Sequence, residues 1–242
     1  MCAEYQINKQ PVEIREWLKR QGESDSENVY RPRIKLFTTA PIVVGEDFRV
    51  EPMTFSLKPP AIKYATFNAR LYDYDQRTDR IVAMGEKRTW KVPLAETRCL
   101  VPMTGFIEPI YTGTHAGEMV EFEDKVQDMV FAAGVYEVSV DPKTGGPYKG
   151  FSIIMDQPND FIREVGHHRQ PVFLRPAAFD EWLSSDLDVA DAMTLLNSQR
   201  QPVDLKVKTD RKMAKGWEKR IATFVEKSAK ELEFEALLKT KR

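Results

Sequence analysis

Cysteine is scarce in this chain, long apolar runs are missing, and neither sign of charge prevails. Cys2 and Cys99 are the only cysteines among 242 residues, too few for a disulfide framework. A reducing, intracellular setting is therefore expected, cytoplasmic if the chain works on DNA. The longest uninterrupted apolar stretch, Met129 to Tyr136 with Gly134 counted, is far shorter than the ~20 residues of a membrane helix. The opening residues MCAEYQINKQ have no basic segment followed by an apolar one, so no secretory signal is expected. Lys plus Arg number 36 against 37 for Asp plus Glu, a formal charge of −1. Bulk charge thus gives no evidence for nucleic-acid binding, although a local basic strip is compatible with a neutral total. What is present, 42% hydrophobic and 30% charged residues, is ordinary for a globular chain and excludes a disordered or collagenous one.

Along the chain, Pro11 to Gln21 reads as a short helix, with Pro11 at its first position and Ile14, Trp17 and Leu18 on one face. The polar stretch Gly22 to Asn28 reads as an exposed loop. From Val29 to about Tyr74 the pattern is β-like, and Ile62, Tyr64 and Thr66 alternate as in a strand. Cys99 to Ile110 and Met129 to Val140 are apolar enough for core strands. The turn Asp141 to Pro147 predicts a hairpin between 129–140 and 149–155. Asn159 is placed to cap a helix ending near Gly166, with His167 to Pro171 as the following loop. Pro176 to Ser185 and Asp188 to Leu196 read as helices, and Val203, Leu205 and Val207 alternate as a strand. The longest helical pattern is 213–240, carried by Trp217, Ile221, Phe224, Val225 and Leu232. The sum is an α+β domain with a β-rich core and peripheral helices.

Several side chains could carry chemistry. Removal of the initiator Met is expected where a residue as small as Cys2 follows, and would leave an N-terminal 1,2-aminothiol. Its amine, with a reference pKa of about 8, and its thiol, about 8.5, are both partly nucleophilic near neutral pH. The amine can condense with an aldehyde to an imine, and the neighbouring thiolate can close a thiazolidine ring. The thiol alone could instead attack a carbonyl. Glu108, in the apolar segment TGFIEP, is a candidate general acid or base whose pKa desolvation would raise. His167 and His168 are two of three histidines, and a histidine on a loop held by Pro171 suits proton transfer. Asn68 and Arg70 offer a neutral amide and a phosphate-binding guanidinium. No metal or cofactor is expected.

Taken in order, Cys2 after the initiator Met, Asn68-Ala69-Arg70, Arg98 to Pro102 leading into Thr104 to Glu108, and His167-x-Arg169-x-Pro171-Val172 resemble the SRAP family, the SOS-response-associated peptidases or abasic-site processing proteins. The resemblance runs from residue 2 to about 174 and more weakly to about 208. It implies a barrel-like α+β fold with a groove for single-stranded DNA. It also implies covalent capture of abasic sites by the N-terminal cysteine as a thiazolidine crosslink, with autoproteolytic and lyase activities alongside. On that reading Cys2 is the nucleophile and Asn68 orients it. Glu108 protonates the sugar ring oxygen to free the aldehyde, and His167 assists the later proton transfers. Arg70, Arg98 and Arg169 are the expected DNA contacts, with Phe55 stacking on a base or sugar. The chain departs from the family pattern at Ala3 and Glu4 after Cys2, at Phe55-Ser56, at Pro109 after Glu108, and at Gln170.

The expected division is a catalytic domain over 1–208 and a helical extension over 209–242 that packs back on it. The expected partner is single-stranded DNA containing abasic sites, bound by a monomer, with no membrane. Two other functions compete with an abasic-site sensor. One is a cysteine-dependent peptidase using Cys2, His167 and Asn68 or Glu108. The other is a non-catalytic single-stranded DNA-binding module.

Overall fold

The computed structural model describes residues 4–18, 31–58, 66–75 and 77–241. Cys2, the polar 22–28 stretch and the strand expected around Ile62 and Tyr64 lie outside them. The first half of the chain runs through β1 (Glu4–Gln6), α1 (Pro11–Leu18), β2 (Arg33–Lys35), β3 (Thr39–Val44), β4 (Arg49–Phe55), β5 (Asn68–Arg70), β6 (Tyr72–Asp75), β7 (Arg80–Ala83), α2 (Arg88–Glu96), β8 (Arg98–Met103) and β9 (Gly105–Ile110). Then come β10 (Glu118–Asp124), β11 (Val130–Val140), β12 (Pro147–Asp156), α3 (Asp160–Val165), β13 (Gln170–Pro171), α4 (Phe179–Leu183), α5 (Val189–Ser198), β14 (Leu205–Lys212) and α6 (Ile221–Lys241).

Five strands close on themselves in the order β11-β8-β3-β4-β12 and back to β11, making a small barrel. Its inward residues are β-branched, aliphatic or aromatic, the side chains that pack a pleated surface best. Phe55 and Phe151, paired across β4 and β12, stack at 5.1 Å inside it. Gly150 lets the two strands approach, since a Cβ there would lie 2.1 Å from the Ser56 carbonyl oxygen. A second sheet runs β14-β10-β9-β1-β2, and Phe106 of β9 and Tyr5 of β1 face each other in its register. Its apolar side joins the same core. β12 carries both β5 and β13 near its end. The architecture is the α+β, β-rich one expected, and the 129–155 hairpin forms with Val140 opposite Pro147.

Three local readings need amending, and one helix went unread. Cys99 to Ile110 is not one strand but two in different sheets, divided at Thr104, whose N–H donates to the Gln6 carbonyl at 2.8 Å. The helix α2 has Pro93 in its interior, which hides it from a helix pattern. Pro176 to Ser185 begins as a 3-10 turn and is α-helical only over α4. The buried stripe of α6 is Phe224, Glu231, Phe234 and Leu238, while Val225 and Leu232 face solvent. No helix among the described residues is long and apolar enough to cross a membrane.

Candidate active site

Strand alternation puts Phe106, Glu108 and Ile110 on one face of β9. That face is apolar: Phe106 stacks on Phe122 at 4.9 Å and meets Phe173 at 6.1 Å. Glu108 is therefore a carboxyl on the core side of a strand, fully buried. Burial pushes its pKa up to about 7, so a large share of it keeps its proton near neutrality.

His167 is delivered by the end of α3. The Asn159 side chain caps the helix start by accepting from the Ile162 N–H at 2.9 Å. At the other end Gly166 takes φ +105°, and the Gly166 and His167 N–H groups close back on Arg163 and Ile162 carbonyls, both at 3.0 Å. This closure turns the chain sharply and sends the His167 ring inward, where it is buried. Its Nδ1 lies 2.9 Å from the Arg169 carbonyl oxygen. A carbonyl only accepts, so Nδ1 carries the proton and Nε2 keeps its lone pair. Nε2 lies 3.5 Å from Glu108 Oε2. Burial holds His167 well below the usual histidine range. The contact thus sets a carboxyl with a pKa raised to about 7 against a neutral imidazole, about 0.5 Å from a full O–H···N bond.

The neighbouring residues extend the site. The His168 ring lies 5.0 Å from that of His167, and burial pulls its pKa down to about 3. Arg169 is buried and pairs with Glu231 of α6. Burial and the adjacent Arg70 work against the Arg169 cation, and Glu231 opposes them. Arg70 Nη1 reaches the same Glu231 at 3.3 Å and Asp73 at 3.1 Å. Asn68 and Arg70 share one face of β5, with buried Ala69 on the other. Contacts therefore link Glu108, His167, Arg169 and Arg70 in one chain, with Asn68 beside its last member. Glu231 is the member that sequence reasoning missed. Its signal was a carboxylate on the same helical stripe as Phe224 and Leu238.

Two expected DNA contacts are corrected. Phe55 is fully buried, stacked on Phe151 and edge-on to Tyr5 at 5.6 Å, and presents no face to a base. Arg98 is buried, and its guanidinium donates to the carbonyls of Leu94 and Ala95 at 2.6 Å, Trp182 at 2.8 Å and Ser184. It ties the end of α2 to α4, with four of its five N–H donors spent on backbone carbonyls. Glu4 does not stand as a lone acid. It accepts from Arg33 at 2.8 Å and Arg211 at 2.6 Å, and both arginines also bind Asp210. Cys99 is buried, and burial pushes its thiol far up, which makes it inert as a nucleophile. Among the described residues no group of His, Cys, Asp and Glu is arranged to hold a metal ion.

A closed barrel flanked by a second sheet, with a buried carboxyl and imidazole in contact at 3.5 Å, defines an α+β protein with two titratable groups in a dry site. The chain belongs to the SOS response associated peptidase (SRAP) family, whose model matches residues 1–210. This is the family that the ordered motifs resemble. The abasic site processing protein YoqW of Bacillus subtilis is 27% identical over 160 residues, 66% of this chain and 67% of the relative. The abasic site processing protein YoaM of the same organism is 26% identical over 140 residues, 58% of this chain and 59% of the relative. A protein from Bacteroides thetaiotaomicron of known crystal structure superposes with a TM-score of 0.69 at 22% identity, over 87% of this chain and 92% of its own, a likeness of fold.

Proposed function

We propose that the chain captures abasic sites in single-stranded DNA through Cys2, forming a thiazolidine crosslink. The observation that carries this reading is the buried Glu108–His167 contact, with its acid held protonated up to about pH 7. An abasic sugar is mostly ring-closed, so an acid must protonate the ring oxygen before any amine can attack. Glu108 has the state and the setting for that step. The pairing of β1 supports it. Glu4 sits opposite Ile107 in the pairing of β1 with β9, one residue from Glu108. Two residues of chain span at most about 7 Å, which keeps Cys2 within reach of this end of β9.

The condensation balances as follows. The Cys2 amine adds to the freed aldehyde and water leaves, giving an imine. The thiol then adds its sulfur to the imine carbon and its proton to the nitrogen, closing the ring. The neutral His167 accepts and returns protons through Nε2, with Nδ1 fixed on the Arg169 carbonyl. Asn68 orients the aminothiol, and Arg70 and Arg169 hold phosphate. A peptidase of the cysteine–histidine type has no need of a buried carboxyl whose pKa is raised to about 7, whereas opening the sugar ring needs an acid, which favours the aldehyde chemistry.

The test mixes the protein with a single-stranded oligonucleotide carrying one abasic site and resolves the products on a denaturing gel. The expected result is a heat-stable shifted band that Cys2→Ser abolishes. Binding on a native gel without that band would replace the proposal with a non-catalytic module. Peptide cleavage with neither band nor binding would replace it with a peptidase.

A further inference from the structure

The two guanidiniums assigned to phosphate are both occupied by the protein itself. Glu231 Oε1 is shared between Arg169 and Arg70, while Gln157 donates to Oε2 at 3.4 Å. Two helical turns earlier, Phe224 packs on the His168 ring at 5.0 Å and on Tyr111 at 4.9 Å. The helix α6 therefore lies across the face next to the Glu108–His167 contact. It is also outside the part of the chain that the family model matches, which ends at residue 210.

The fit of this helix is incomplete in an informative way. A carboxylate carries the single negative charge of a phosphodiester and presents the same two anionic oxygens, but Glu231 reaches Arg169 only at Nη2. Arg169 Nε is buried with no hydrogen-bond partner among the described residues, a donor that the Glu231 carboxylate leaves unused. A phosphate, bidentate on the guanidinium fork, would fill it. A cavity of about 330 Å³ also remains between α6 and the residues Arg70, Asp73 and Tyr74, with Lys227 and Lys230 on its helix side. Among the described side chains of α6, only Phe224, Glu231, Phe234 and Leu238 are buried.

We propose that α6 is an intramolecular competitor for the nucleic-acid strand: Glu231 occupies the phosphate position on Arg70 and Arg169, and the helix shifts away when the strand is seated. This rests on the function proposed above. A closed helix lowers apparent affinity by the fraction of molecules that are open, so loosening it tightens binding.

The experiment uses the full chain and a fluorescent, undamaged single-stranded oligonucleotide at fixed salt. Glu231→Gln keeps the shape but removes the competing charge, and should bind the oligonucleotide about tenfold tighter than the wild type. If Glu231→Gln no longer melts cooperatively, Phe224→Ala, which loosens the same helix and leaves the ion pairs, takes its place with the same expectation. In the wild type, amide hydrogen exchange over 221–238 should speed up when the oligonucleotide is added. Unchanged or weaker binding in the variant, or slower exchange across α6 in the complex, overturns the proposal. An abasic oligonucleotide separates the two levels of the argument. Crosslinking by the wild type with no gain in the variant removes only the role of the helix. The absence of both binding and crosslinking in every form removes the underlying function as well.

Discussion

At the scale of single residues, Glu108 shows how burial alone raises the pKa of an ordinary carboxyl. Nothing is added to it; a strand merely turns it toward the apolar side. Its proton is lost near 4.5 in the unfolded chain but at about 7 in the folded one. The folded state therefore binds more protons between these values. Its favourable contribution is complete below the unfolded pKa and is lost as pH rises through the folded one, on the order of 3 kcal/mol in all. Glu108→Gln has no such dependence and leaves His167 in place, so its melting temperature should rise relative to the wild type as pH rises from about 4.5 to about 7. A parallel offset between the two profiles would show that the acid is not held protonated. The same variant should crosslink abasic sites ~10²-fold more slowly while reacting almost normally with a small open aldehyde. Equal slowing on both, in single-turnover rates at one pH, would transfer ring opening to His167. Glu108 stood out in the sequence as an acid in an apolar segment, whereas His167 and Asn68 stood out only as members of the ordered set of motifs. Phe55 and Arg98 were misjudged because an aromatic ring or a guanidinium satisfies itself equally well in a core or on carbonyls. Glu231 could not be paired with Arg70 from the sequence, since only the tertiary fold brings them together.

At the scale of elements, the site depends on how α3 ends. Gly166 takes a left-handed φ of +105°, and a Cβ there would lie 2.7 Å from the Thr112 backbone oxygen. Gly166→Ala should cost about 2 kcal/mol or more in thermal unfolding, and should lower the crosslinking rate beyond what the stability loss explains. Full stability with a normal rate would mean that the closure does not place His167. This helix was readable from Asn159 and Gly166 because capping is local chemistry. So was the 129–155 hairpin, whose turn residues sit between two apolar runs. The helix α2 was not readable, since Pro93 removes a donor in its interior and tertiary packing of Trp90 and Leu94 overrides the propensity. Strand β10, with Glu118, Glu121, Glu123 and Asp124, is too acidic to look like a core strand. It is held by pairing on both sides, to β9 and β14. The division at Thr104 escaped notice because β8 and β9 are both apolar, and only sheet pairing separates them.

At the scale of the whole molecule, the barrel and the second sheet meet where β9, β12 and the segment after α3 converge, and the proposed chemistry needs all three. The barrel strand β12 carries β5 with Asn68 and Arg70, the second sheet carries Glu108, and the loop ahead of β13 carries His167 and Arg169. β1 runs beside β9, which places Glu4 opposite Ile107, next to Glu108 in the strand. Cys99, the second cysteine, is sealed in the core and cannot substitute for the first. The central claim is therefore chemical: a free amine and thiol at Cys2 form the bond to DNA. It is tested most directly by digesting the crosslinked complex and sequencing the modified peptide by tandem mass spectrometry. The expected species is a peptide beginning at Cys2, without Met1, carrying the sugar remnant on its first residue with the loss of one water. A remnant on a lysine, or a crosslinked peptide that still begins with Met1, would contradict the account.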